Sequence, residues 1–149
     1  MDAHTGIRHH ALLACEPFSP RLGAEAVASA LAAGLTASGA ELPDAVELPA
    51  HTGEREAAAL LERAGFHGRM LASRAVVVAV PALAESTLAG SSAFEVATLA
   101  RQNGVPCYAV AASVELGDFD LRILDLQLVI RARGASSLRT AGERLAEVI

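Results

Sequence analysis

The chain has 149 residues, the length of one ordinary domain, and 52% of them are hydrophobic while 19% are charged. This balance excludes an intrinsically disordered chain, and the longest apolar run, residues 75–83, is too short to cross a membrane. The net charge is −5 and every basic residue is arginine, with no basic stripe or aromatic platform that would bind nucleic acid. The lack of lysine also excludes every mechanism that needs a lysine side chain.

The number of cysteines and the N-terminal sequence indicate the cellular compartment. Cys15 and Cys107 are too few for a disulfide framework, which favours free thiols in a reducing environment. The N-terminus lacks the charged start, apolar stretch and small-residue cleavage site of a secretion signal. We therefore expect a cytoplasmic protein, with residues 1–9 frayed.

Short apolar segments alternate with longer amphipathic ones along the chain. The pattern predicts strands over residues 11–15, 45–49, 75–80, 106–111 and 126–131, and helices over residues 22–38, 53–64, 92–103 and 137–148. Ser92 and Glu95 are spaced as a capping box, and Gly39, Gly65 and Gly104 follow predicted helix ends. This alternation is typical of an α/β fold. We predict one three-layer Rossmann-like domain over residues 1–149, with about five mostly parallel strands and helices on both faces.

The polar side chains that follow the predicted strands are the candidate binding residues. In such a sheet the ligand crevice lies beyond the carboxyl ends of the strands. The residues placed at this rim are Glu16, Ser19, Arg21, His51, Gly53, Glu54, Ser86 and Thr87. Arg21 could grip a carboxylate or phosphate with two parallel hydrogen bonds, which would make a small anion the ligand. The alternative is a solvated arginine at a helix start.

Cys15, at the end of the first predicted strand and so beside the same rim, permits a catalytic interpretation. Cys15, His51 and Glu54 could meet as nucleophile, base and orienting group. Together with Glu16, the same residues could instead hold a metal. The third interpretation, a small hydrophobic residue at a strand end, is the one that the sequence favours. We therefore predict no catalytic and no metal-binding residue.

Five segments carry a family resemblance through their order and spacing: residues 11–24 (ALLACEPFSPRLGA), 46–56 (VELPAHTGERE), 74–94, 104–113 and 137–141. In this order they resemble the type I glycerate kinases. The first resembles the opening strand and A-P-D-S-F-K-G-S-L-S-A loop of that family, and the second its P-V-A-D-G-G-E-G-T segment. The others resemble its T-G-E-G-R stretch, its G-V-P-V-I-A-L-A-G-S strand and its L-x-x-T-A-x-N helix. The resemblance implies the Rossmann-like domain of that family.

The departures from the family pattern fall on its charged positions. Glu16 and His51 stand where the family has aspartate, Ser19 where it has lysine, and Val80 where it has glutamate. The resemblance also implies that a middle portion is missing between about residues 65 and 72, and with it the second domain that forms one wall of the substrate cleft. Phosphoryl transfer needs cations on the phosphate and carboxylates for Mg²⁺. The resemblance therefore implies a catalytically degenerate relative.

Three functions stay open at this point. The first is a cofactor-free pseudoenzyme that acts by binding a protein partner, or a second copy of itself as a homodimer, through the face where the missing domain would pack. The second is a small-molecule or nucleotide binding module, or an enzyme of changed chemistry, that uses the rim. The third is a residual glycerate kinase that uses ATP and Mg²⁺. The sequence favours the first, which predicts an exposed apolar patch.

Overall fold

The computed structural model describes residues 10–50, 54–88 and 90–149, so the segment predicted to fray, residues 1–9, lies outside the described residues. Within them the chain forms five strands and seven helices. In chain order these are β1 (Ala11–Cys15), α1 (Ala24–Ala37), β2 (Asp44–Glu47), α2 (Glu54–Arg63), α3 (Phe66–Leu71), β3 (Ala75–Leu83), α4 (Glu85–Leu88), α5 (Ser92–Gln102), β4 (Cys107–Val114), α6 (Asp118–Leu124), β5 (Leu126–Arg131) and α7 (Ala135–Val148).

The five strands form one parallel sheet in the order β2-β1-β3-β4-β5. This is the strand order of flavodoxin-like folds. Helices α1 and α7 cover one face of the sheet, and α2, α3 and α5 cover the other. The predicted three-layer α/β fold is confirmed, and the strands are all parallel rather than mostly so.

The central strand β3 shows why two apolar cores form. Val76, Val78 and Val80 point into the core beneath α2, α3 and α5, whereas Val77 and Ala79 point into the core beneath α1 and α7. Successive side chains of a strand alternate between the two faces. A strand covered on both faces must therefore be apolar, as β3 is.

Several boundaries differ from the predicted ones. Strand β3 runs past Pro81 to Leu83, because β4 continues beside it and pairs with Ala82 and Leu83. Helices α3, α4 and α6 were not predicted, since each has seven residues or fewer and shows too little periodicity.

The predicted capping box is wrong by one residue. Ser91 is the cap of α5, and its side chain accepts a hydrogen bond from the N–H of Phe94 at 3.0 Å.

Helices α1 and α7 approach so closely that their backbones touch. Gly34 in α1 and Gly142 in α7 are both buried. A Cβ atom added at Gly34 would collide with the carbonyl oxygen of Arg139, and one added at Gly142 would collide with the carbonyl oxygen of Leu31. Only glycine fits at these two positions.

Helix α3 is tied to the edge strand β2 by a two-pronged ion pair. The Nε–H of Arg69 donates to Asp44 Oδ2 at 2.8 Å, and a terminal N–H of the same guanidinium donates to Oδ1 at 2.6 Å. A further N–H of Arg69 donates to the carbonyl oxygen of Ala45 at 2.8 Å. The hydrogen bond and charge of Arg69 lower the pKa of the Asp44 carboxyl. This geometry fixes both the distance and the orientation of α3 against β2.

Candidate functional site

The sheet has a topological switch point between β1 and β3. The chain leaves β1 through α1 on one face to reach β2, and returns through α2 and α3 on the opposite face to reach β3. The chain leaves the carboxyl end of β1 toward α1 on one face and the carboxyl end of β3 toward α5 on the other, and a crevice remains beyond the ends of these two neighbouring strands. A cavity of about 110 Å³ lies there, which we call the Glu16 cavity; the described residues that line it are Glu16, Ala50, Val80, Pro81, Ala82, Ser86, Thr87, Ser91 and Ser92.

Glu16 is the residue that follows β1, and the sheet holds it in place. Its backbone N–H donates to the carbonyl oxygen of Ala79 at 2.9 Å, which continues the pairing of β1 with β3 by one residue. The residue is only 7% exposed. Burial raises the pKa of its carboxyl to about 7, because leaving water disfavours the charged form. No cation or hydrogen-bond donor in the described part of the chain offsets this rise.

The opposite wall of the cavity is built from hydroxyl side chains at the ends of α4 and α5. Thr87 Oγ1 donates to the carbonyl oxygen of Ala82 and accepts from the N–H of Ala84, both at 3.0 Å. Ser91 Oγ donates to the carbonyl oxygen of Thr87 at 2.6 Å while it caps α5. These bonds close the turn after β3 and fix the two hydroxyl oxygens beside the cavity.

The structure brings three of the predicted site residues together and separates others from them. Glu16, Ser86 and Thr87 line the same cavity. Ser19 and Arg21 lie in an exposed turn, where Ser19 Oγ accepts from the N–H of Arg21 at 3.3 Å, and neither lines the cavity.

The remaining predicted site residues lie at the start of α2. His51 and Gly53 lie outside the described residues, and Glu54 is the first residue of α2. Their participation in the rim stays a prediction.

Sequence reasoning missed Ser91 and Ser92 as site residues, because the pattern assigned Ser92 to helix capping alone. The signal that could have found them is the density of hydroxyls: Ser86, Thr87, Ser91 and Ser92 fall within seven residues after an apolar strand. One helix cap requires a single hydroxyl, so four hydroxyls at a strand end indicate a polar site there.

Cys15 and Cys107 are buried core residues. Burial raises the pKa of each thiol to about 12, and the charge of Glu47 adds to the effect at Cys15. A thiol in this state is not a nucleophile at neutral pH. The interpretation of Cys15 as a small hydrophobic residue agrees with its surroundings, and a catalytic triad built on Cys15 does not.

We therefore expect neither thiol to react with iodoacetamide in the native protein at pH 7.5, since both are buried and protonated. Mass spectrometry after labelling should find no modified cysteine without denaturant and both modified in 6 M guanidinium chloride. Rapid native labelling of Cys15 would contradict its assignment to the core.

The described part of the chain shows neither a cluster of metal-binding side chains nor a membrane-spanning helix. No group of three or more histidine, cysteine, aspartate or glutamate side chains is arranged to hold a metal ion there. No helix among these residues is long and apolar enough to cross a membrane.

Comparison with known proteins finds similarity to solved structures. No protein-family model matches the chain, and no curated protein matches it either. A crystal structure of the signal receiver domain of a protein described as a LuxO repressor, from Vibrio parahaemolyticus, is similar over 95% of this chain and 95% of that one. The identity is 15% and the TM-score 0.44.

These findings contradict the resemblance to the type I glycerate kinases and the interpretation as a pseudoenzyme of that family. No family model and no curated protein supports the resemblance. Strand, small-residue turn and helix recur in every parallel α/β domain, so five such segments in order do not identify one family. The segment where a lost portion was expected forms α3, which buries Phe66 and Met70 completely.

Proposed function

We propose that the protein is a binding module whose small ligand occupies the Glu16 cavity. The observation that carries this proposal is a buried carboxyl, at the switch point of the sheet, that opens into a cavity with no described cation beside it. Burying an uncompensated carboxyl lowers the stability of the fold. Such groups concentrate at functional sites, because a ligand can supply the missing interaction.

The composition of the cavity favours binding over catalysis. Glu16 is the one titratable side chain among the described lining residues, so a second group to share proton transfer is not found there. About 110 Å³ suits a ligand, or a ligand group, of a few non-hydrogen atoms. Liquid water occupies roughly 30 Å³ per molecule, so three or four ordered waters would fill the same space and be displaced on binding.

Nuclear magnetic resonance titrations with methylammonium, acetate and acetamide test the proposal with probes of each charge. We expect at least one probe to shift the amide signals of Val80, Ala82 and Ser86 in a saturable way. Ser86→Leu should abolish these shifts, because the larger side chain stands at the mouth of the cavity. Ser29→Leu, on the exposed side of α1, is the matched control and should leave them intact. Binding of none of the three probes would overturn the proposal.

Self-association is a second candidate function, and a feature of α6 favours it. Phe119 is 74% exposed and Ile123 is 41% exposed, and the two lie one helical turn apart on the same side of the helix. Exposed large apolar side chains that adjoin one another are typical of protein contact surfaces. We propose that the protein forms a homodimer through this side of α6.

Light scattering at micromolar concentration tests the homodimer directly. We expect a dimer that the double variant Phe119→Ser, Ile123→Ser converts to a monomer, because the substitutions remove apolar area that binding would bury. Leu42→Ser is the matched control, since Leu42 is equally exposed but lies between α1 and β2. A monomeric parent protein would count against self-association and leave the ligand-binding proposal unaffected.

A further inference from the structure

Two of the hydroxyls that line the Glu16 cavity, those of Thr87 and Ser91, already donate their protons to backbone carbonyl oxygens. Thr87 Oγ1 donates to the carbonyl oxygen of Ala82, and Ser91 Oγ donates to the carbonyl oxygen of Thr87. Each oxygen also accepts one backbone N–H. A hydroxyl has one proton and two lone pairs. Thr87 and Ser91 can therefore offer a ligand one further lone pair each, and no proton.

Glu16 extends this set of acceptors. An ionised carboxylate accepts hydrogen bonds through both of its oxygens and donates none. Among the described lining residues it is the one charged side chain, and Ala50, Val80 and Ala82 add no charge. Ser86, at the exposed mouth of the cavity, can donate or accept. Glu16, Thr87 and Ser91 thus present free acceptor positions and one negative charge to a ligand in the cavity.

We propose that the Glu16 cavity binds a primary ammonium group carried by a small ligand, an inference that rests on the proposed function of the cavity. The –NH₃⁺ group has three donors and no acceptor, which complements Glu16, Thr87 and Ser91. Its charge is opposite to that of Glu16, and the net charge of −5 on the whole chain attracts cations toward the protein. A carboxylate or phosphate would instead place acceptors against acceptors, so the ligand has the opposite charge to the one that Arg21 had suggested.

Titrations at pH 8 with methylammonium chloride test this class of ligand, with potassium chloride and sodium acetate as matched salts. We expect saturable shifts of the Val80, Ala82 and Ser86 amides with methylammonium alone. Glu16→Gln should weaken its binding about tenfold or more, because the amide keeps the shape of the side chain but removes its charge. Glu25→Gln, an exposed residue of α1, is the matched control and should leave the dissociation constant unchanged.

The possible outcomes separate the two proposals. Equal shifts with potassium would mean that any small cation suffices and would overturn recognition of an ammonium group. Binding of acetate instead would mean that the start of α5, and not Glu16, governs the cavity. In both cases the cavity would still bind a ligand, so the proposed function would stand. If methylammonium, acetate and acetamide all fail to bind, both proposals fail together.

Discussion

Replacing Glu16 by glutamine is expected to raise the free energy of unfolding at pH 8 and to change it little at pH 5. The pKa of this carboxyl is raised from 4.5 to about 7 in the folded protein. Between these two values the unfolded chain has released the proton and the folded chain retains it. The folded state therefore loses stability as the pH rises from about 4.5 to about 7, and above 7 the loss is complete. Glutamine carries no ionisable proton and escapes this loss.

The expected gain for Glu16→Gln at pH 8, relative to its effect at pH 5, is about 1–3 kcal/mol, after allowance for partial screening by water at the mouth of the cavity. Urea denaturation at pH 5, 6, 7 and 8 measures it. The effect of the substitution on the free energy of unfolding at pH 5 is subtracted from its effect at pH 8. The cost of burying the amide cancels in this difference, because the amide does not titrate. Glu25→Gln is the control, because surface substitutions are typically neutral within about 0.5 kcal/mol. If the free energy of unfolding changed with pH in the same way for the parent protein and for Glu16→Gln, Glu16 would not be held in a low-polarity site.

Gly34→Ala is expected to destabilise the protein by about 3 kcal/mol or more. Its added methyl group would meet the carbonyl oxygen of Arg139 and would lie 2.8 Å from the backbone nitrogen of Glu143. Backbone atoms cannot turn aside as a flexible side chain does, so α1 and α7 must move apart. That movement would open the core that Leu31, Leu35 and Leu138 fill. The midpoint of urea denaturation measures the effect.

Gly68→Ala in α3 is the matched control for this substitution. In the described part of the chain, no atom lies within 4 Å of a Cβ atom at Gly68, which also sits within a helix. There alanine should stabilise the protein by about 0.5–1 kcal/mol, through its higher helix propensity. Similar stabilities for Gly34→Ala and Gly68→Ala would contradict the close contact between α1 and α7.

The sequence predicted the sheet well because its strands obey a local rule. Strands β1 and β5 were placed at their observed residues, since each is a short, mainly apolar run; β1 is buried throughout, whereas β5 lies at the edge of the sheet. Helix α3 escaped prediction because its stability comes from Phe66, Met70 and the bond from Arg69 to Asp44, all of which depend on distant residues. A local sequence pattern cannot reveal a helix whose stability comes from tertiary contacts.

The candidate site was predicted in part, for a related reason. Glu16, Ser86 and Thr87 were found because each directly follows a strand, and the ends of parallel strands meet at one edge. The exclusion of Arg21 from the cavity depends on the turn that Ser19 closes, and the sequence does not specify the direction of that turn. The family resemblance failed because packing requirements common to all parallel α/β domains produced the matching order of segments.

The contact between Gly34 and Gly142 has a consequence for the time course of synthesis. Helix α1 is the second element to leave the ribosome, and its partner α7 is the last of those described. Until α7 emerges, Val27, Leu31 and Leu35 lack the surface that completes their core, and one face of the nascent sheet stays half covered. Contacts between residues far apart in sequence also form slowly. The growing chain therefore exposes an apolar face for most of its synthesis. During this period a chaperone that binds apolar surfaces would protect the chain from aggregation.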